Sequence, residues 1–129
     1  PSFPIPIKLF KDSWDTYGWD GEDIVKLLVK NDNSDAYLEG ICINMDAAVL
    51  TDFIKKKKLK SEGQIKIAKD KFFLNVYLHS MFLYGTMDKT IQKEGLQQEL
   101  DEMIANMLKP YSAFLLSLNT NDAVLEHAK

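Results

Sequence analysis

The residues with the clearest chemical potential form a run of lysines between positions 55 and 71. This stretch carries a net charge of +6, whereas the whole chain carries −3. Ammonium groups can hold phosphates through counterion release or bind an acidic protein face. A charge run is also typical of a solvated helix end, where lysines interact favourably with the C-terminal dipole. The members are Lys55, Lys56, Lys57, Lys58, Lys60, Lys66, Lys69 and Lys71.

All sixteen basic residues are lysine, and the chain contains no arginine. Arginine supplies the planar fork that binds guanine or phosphate through two parallel hydrogen bonds. Its absence counts against a base-reading DNA regulator, so nucleic-acid binding through the lysines would be non-specific. No aromatic residue is interleaved with these lysines, and base stacking on aromatics is the usual second component of such an interface.

His79 lies one helical turn after Asn75 within an apolar stretch from Phe72 to Tyr84. Its functional interpretation is an axial haem ligand or a polar anchor in an apolar ligand pocket. A single histidine on an apolar face is more often a core residue whose ring is hydrogen-bonded. The sequence therefore favours a structural role and predicts no cofactor, while an apolar-ligand or haem-binding domain remains an alternative.

Side chains suited to metal binding or catalysis are poorly grouped. The single Cys42 is flanked by isoleucines, an environment that raises a thiol pKa. The sequence contains no inward Glu-x-x-His pair, calcium loop, nucleophile elbow or phosphate-binding glycine loop. We therefore predict no metal site, no catalytic residue and no enzymatic activity.

Three aromatic residues lie among aspartates near the start of the chain. Trp14, Tyr17 and Trp19 are interspersed with acidic residues and glycines. Exposed aromatics are typical of protein interfaces, because they give a large contact area. Small domains rarely leave two tryptophans in water, so the competing interpretation, that they close one end of the fold, is favoured.

The elements that must position these residues are predicted to be helical. Apolar residues recur with helical spacing, and the third predicted helix becomes apolar all round, which predicts that other helices surround it. Residues 37–43 have a competing interpretation as a strand, because Gly40 and two β-branched isoleucines lie there. The predicted helices cover residues 21–30, 34–55, 64–87, 88–109, 111–118 and a stub at 123–128.

These elements predict an all-α fold. We expect a bundle or orthogonal array of five to six helices with one central apolar helix, in a single domain over residues 11–129. Residues 1–10 are predicted to be an extended proline-rich arm, because each proline moves its predecessor out of the helical region. Pro110 is expected to end the fourth helix.

The function expected from these features is a non-catalytic helical interaction or regulatory module that binds another protein or a second copy of itself. A lone cysteine suits a reducing, cytoplasmic environment. The longest apolar run is 13 residues, shorter than the roughly 20 that cross a bilayer, so no membrane partner is expected. A non-specific nucleic-acid-associated protein and an apolar-ligand or haem-binding domain are the alternatives.

Overall fold

The computed structural model describes the backbone of residues 3–32, 35–94 and 100–119, and the side chains of residues 3–30, 36–87 and 100–109. Within these ranges the chain forms three strands and four helices. In chain order they are β1 (Ile5–Leu9), a 3-10 turn (Lys11–Ser13), α1 (Trp14–Tyr17), β2 (Val25–Asp32), β3 (Asp35–Asn44), α2 (Ala48–Lys56), α3 (Glu62–Glu94) and α4 (Leu100–Asn119).

The three strands form one mixed sheet in the order β1-β3-β2, with β1 parallel and β2 antiparallel to β3. Leu28 pairs with Gly40 and Val29 pairs with Leu38. Glu39 is therefore the extra residue of a β-bulge, which bends the hairpin. Beyond the bulge, Lys30 forms a salt bridge of 3.0 Å with Glu39.

The prediction of an all-α bundle is wrong, because the described chain contains this three-stranded sheet. The predicted helix over residues 21–30 is strand β2 instead. Val25 and Leu27 are buried while Lys26 and Lys30 reach solvent. This alternation has the two-residue period of a strand, but five apolar residues in a short segment also match helical spacing.

The boundaries of the other predicted helices also change. The predicted helix over residues 34–55 is divided into β3 and α2, so the competing interpretation of residues 37–43 as a strand agrees with the structure. The expected breaks near position 88 and at Pro110 are absent, since α3 continues to Glu94 and α4 runs through Pro110. The stub predicted at 123–128 lies outside the described residues.

Strand β1 is an edge strand formed by the proline-rich start of the chain. The Met45 amide donates to the Leu9 carbonyl at 2.8 Å, so the odd-numbered residues of β1 direct their backbone polar groups at β3. Pro6 therefore lies on the outward side, where its missing N–H breaks no sheet hydrogen bond. The Tyr77 hydroxyl of α3 donates to the Pro4 carbonyl at 2.6 Å and fixes the start of the strand.

The main core lies between the sheet and the helices. Helix α4 packs on β2, α3 packs on β3, and α2 contacts both helices. Among the residues that the structure describes, no helix is long and apolar enough to cross a membrane. The fully buried large side chains of this core include Ile41, Ile43, Leu50, Phe72, Val76, Leu100, Ile104 and Leu108.

Candidate interaction surface on helix α3

Helix α3 presents apolar residues on two opposite sides. Its inner side, which includes Phe72 and Val76, is buried in the core. Positions two apart point in nearly opposite directions on a helix, so the residues at 74, 78 and 82 point away from that core. We call these three outward residues the α3 stripe, with exposed fractions of 47% at Leu74, 42% at Leu78 and 67% at Phe82.

The prediction that other helices surround α3 on all sides is wrong, because the α3 stripe is exposed. Only one side of this helix is covered by the described core. Residues four apart follow one ridge of a helix surface. The stripe is therefore a continuous ridge of three side chains and not a set of scattered surface residues.

Polar or small residues end the α3 stripe in both directions. Toward the N-terminus of α3, Asp70 accepts a charge-assisted hydrogen bond from Lys66, and Lys71 follows it. Toward the C-terminus lie Gly85 and Thr86, both exposed. The apolar ridge is thus about two and a half turns long, with a chemically distinct boundary on each side.

An open apolar groove adjoins the α3 stripe. It has a volume of about 850 Å³ and runs between α3 and the edge of the sheet. Met81, which precedes the last stripe residue, and Gly85, about one turn after it, lie on the helical wall, while the exposed side chains of Phe3 and Ile5 lie on the strand side. The apolar surface of α3 therefore continues toward β1.

His79 and Asn75 also lie on α3, at half-buried positions. The His79 Nδ1 atom is 2.8 Å from the Asn75 carbonyl oxygen. Because a carbonyl only accepts, Nδ1 carries the proton in this contact. The Asn75 amide nitrogen is buried without a hydrogen-bond partner. Neither residue lines the apolar groove, and haem or apolar-ligand binding at His79 stays a prediction.

The lysine cluster lies at the corner between α2 and α3. The backbone explains part of it, because α2 ends in a Schellman motif: the Leu59 amide donates to the Ile54 carbonyl at 3.1 Å and the Lys58 amide to the Lys55 carbonyl at 3.0 Å. Lys58 takes the left-handed conformation with φ 55°.

Most of the cluster faces water. Every one of the eight lysines except Lys71 is exposed. Those at the end of α2 lie where its C-terminal dipole favours positive charge. The next helix starts nearby with a capping contact, in which the Gln64 amide donates to the Ser61 hydroxyl at 3.1 Å. The structure places the cluster on one corner and leaves its binding role a prediction.

The three aromatic residues of the acidic segment lie at one end of the sheet and are half-buried. The Trp14 indole N–H donates to the Asn44 side-chain oxygen at 3.0 Å. The Trp19 amide donates to the Trp14 carbonyl at 2.9 Å. The rings of Tyr17 and Trp19 are 5.6 Å apart. The protein-interface role predicted for these residues is not tested by this arrangement.

Asn44 is the residue that the sequence did not single out. It is fully buried at the end of β3, where its side-chain oxygen accepts from Trp14 and from the Asp46 amide, each at 3.0 Å. Its side-chain nitrogen donates to the Asp23 carbonyl at 2.8 Å. We call Asn44 and these partners the Asn44 node, which joins β3, α1 and the segment before β2.

A polar cleft of about 290 Å³ lies between β2 and α4. Carboxylates of Asp23, Asp101 and Glu102 line it, but so do Lys26 and Lys109. Lys109 forms a salt bridge with Asp23 at 3.3 Å. Positive and negative groups therefore both line the cleft. Among the described residues, no three acidic, histidine or cysteine side chains converge as metal ligands would.

The chain's one thiol lies inside the sheet. Cys42 is fully buried in β3. Burial raises its pKa, and the nearby charge of Lys26 opposes that shift only in part. A raised pKa keeps the thiol protonated near neutral pH, so the thiolate required of a nucleophile is disfavoured.

Comparison with known proteins adds no relative: the chain matches no family model, no curated protein and no solved structure. Its function must therefore be inferred from its surfaces. The polar cleft holds three carboxylates and two ammonium groups, and the Asn44 side chain is hydrogen-bonded within the fold. Among the described residues, the α3 stripe is the longest series of exposed apolar side chains on one helix face.

Proposed function

We propose that this protein is a non-catalytic interaction module that docks another protein on the α3 stripe. The observation that carries the proposal is the i, i+4, i+8 series of exposed Leu74, Leu78 and Phe82 on the outward side of α3. Single exposed apolar residues are ordinary, whereas a contiguous ridge of three is typical of a binding surface.

The energetics favour a covered state of this ridge. A phenylalanine buries 150–250 Å² when enclosed, and Phe82 is 67% exposed. Covering that fraction removes roughly 100–170 Å² from water, worth about 3 kcal/mol at roughly 25 cal/mol per Å². Phe82 therefore has the largest expected share of the docking energy, and a central aromatic anchor is the usual hot spot of an interface.

The geometry favours a helical partner. Apolar anchors four residues apart match the spacing by which helices recognise one another. A partner with its own i, i+4 ridge could interdigitate with the α3 stripe, and its side chains could extend into the adjoining groove beside Met81. A flat or purely polar partner surface would leave these side chains uncovered.

The test is selection from a displayed library of amphipathic helical peptides with the intact chain as target. We expect selected peptides with apolar residues at helical spacing, and a Phe82→Gln variant should bind them about tenfold more weakly, a change of roughly 1.4 kcal/mol. Met107 is the matched control, because it is 46% exposed on α4, and Met107→Gln should bind as the unchanged chain does. No enrichment, or equal loss in both variants, would contradict the proposal.

The lysine cluster supports a second candidate function, non-specific binding of nucleic acid. Seven of its eight lysines are exposed, and Lys66 is paired with Asp70. Phosphate contacts would make duplex binding fall steeply with salt. A salt slope that flattens when Lys55, Lys56 and Lys57 are changed to glutamine would support this function. Absence of duplex binding at low salt would contradict this function.

A further inference from the structure

The α3 stripe suits one occupant in particular, a second copy of the same helix. We infer that two copies of this chain pair through their α3 stripes in antiparallel orientation, with a two-fold axis beside Leu78. This inference rests on the proposed function, because it names the partner for the same surface. In this arrangement Leu78 meets its own copy, and Leu74 of each chain meets Phe82 of the other.

The shape of the stripe is self-complementary under that symmetry. A two-fold interface requires one patch to fit itself, and a ridge with leucine at one end, leucine in the middle and phenylalanine at the other places each large ring against a smaller side chain. Helices that interlock i±4 ridges cross at about 50°. Such a crossing confines contact to a few turns, which is the length of the α3 stripe between Lys71 and Gly85.

Charge selects the antiparallel orientation over the parallel one. Three lysines and one aspartate lie on the N-terminal side of the stripe, and Asp70 pairs with Lys66, so this end carries a net charge of +2 from Lys66, Lys69, Asp70 and Lys71. Parallel pairing would bring these lysines together across the interface. Antiparallel pairing with the axis at position 78 separates the two copies of Lys71 by about 21 Å along the helices, beyond the screening length of roughly 8–10 Å.

The size of the stripe predicts a dimer in exchange with monomer. Stable interfaces bury roughly 1,200–2,000 Å² in total. Three partly exposed side chains from each copy fall short of that range. We therefore expect the dimer fraction to rise with protein concentration, and Phe82→Gln to shift the chain to monomer in sedimentation equilibrium.

Cysteine cross-linking of the full chain tests the geometry directly. A disulfide needs Cα atoms within about 7 Å, so Leu78→Cys, at the axis, should form a symmetric dimer on mild oxidation. Phe82→Cys alone should not, because its two copies lie about 12 Å apart along the helices. A mixture of Leu74→Cys and Phe82→Cys should cross-link as a heterodimer. The native Cys42 is fully buried and should not react.

Two controls accompany the cross-linking experiment. Met107→Cys, on the exposed side of α4, should remain monomeric, and circular dichroism should show each variant folded. Equal self-linking at 74, 78 and 82 would overturn the antiparallel two-fold arrangement, and a folded Leu78→Cys chain that never cross-links would overturn self-pairing. If peptide binding still depends on Phe82 in that last case, the proposed docking function stands and only its partner changes.

Discussion

The Asn44 node and the α3 stripe differ in whether their side chains take part in the interior of the fold. At the node, a buried polar side chain is hydrogen-bonded through both its oxygen and its nitrogen, and three segments of the chain meet there. At the stripe, three apolar side chains are 42–67% exposed and are not part of the described core. The first region therefore determines stability, and the second is available for association.

This contrast separates conspicuous residues from functional ones. Trp14 is rare, aromatic and surrounded by acids, yet its indole N–H is directed at Asn44 inside the molecule. Leu78 is an ordinary residue in an apolar helix, yet it is exposed at the middle of a ridge. Exposure after folding, more than residue type, identifies the surface that remains for a partner.

The largest expected effect is at the node. Asn44→Ala should lower the free energy of unfolding by about 3 kcal/mol, because it leaves the partners of a buried side chain unsatisfied and opens a small cavity. Denaturant unfolding measures this loss of stability. Asn75→Ala is the matched control, because the Asn75 amide nitrogen is buried without a hydrogen-bond partner, and its removal should change stability far less. Equal losses would show that the node has no special role.

A smaller gain in stability is expected at Ser80. Its hydroxyl is buried on the inner side of α3 and has no hydrogen-bond partner. A buried unsatisfied group costs about 1–3 kcal/mol, and alanine is the better helix former. Ser80→Ala should therefore raise the free energy of unfolding by about 1 kcal/mol in the same measurement. A loss of stability would mean that the hydroxyl is bonded in solution.

In the lysine cluster, we expect a gain in stability somewhat smaller than the gain at Ser80. Lys58 has φ 55° at the end of α2, a conformation that glycine adopts without strain. Lys58→Gly should stabilise the chain by about 0.5–1 kcal/mol, whereas Lys57→Gly, one residue earlier with φ −81°, should give no such gain. Thermal unfolding of the two variants measures this difference, and equal stability of the two would contradict the prediction.

The α3 stripe should show the smallest effect on stability. Phe82→Gln and Leu78→Gln change side chains that lie outside the described core, and surface substitutions usually stay within about 0.5 kcal/mol. Their effect should appear in association instead. A loss of several kcal/mol on either change would place these side chains in the folding core and remove the contrast with the node.

The sequence predicts some of this organisation through local signals. The predicted start of the third helix at position 64 lies within two residues of the start of α3 at Glu62. The lysine run predicts the corner after α2, because such residues accumulate at helix C-termini.

The remainder depends on long-range pairing. The segment around Val25 and Leu27 becomes a strand because β3 pairs with it, and short apolar runs match strand and helix alike. The sequence did not single out Asn44, because only its Asp46 partner is local, whereas Trp14 and Asp23 lie 30 and 21 residues away. The outward direction of Leu78 follows only once the sheet covers the opposite side of α3, so the stripe could not be located from helical spacing alone.

The most direct measurement is peptide affinity and unfolding free energy determined on the same preparations of the unchanged chain, Phe82→Gln and Met107→Gln. If the α3 stripe is the docking surface, Phe82→Gln loses about tenfold in affinity, roughly 1.4 kcal/mol, while its stability stays within about 0.5 kcal/mol and Met107→Gln changes neither. Full affinity in a folded Phe82→Gln chain would contradict the assignment of this surface.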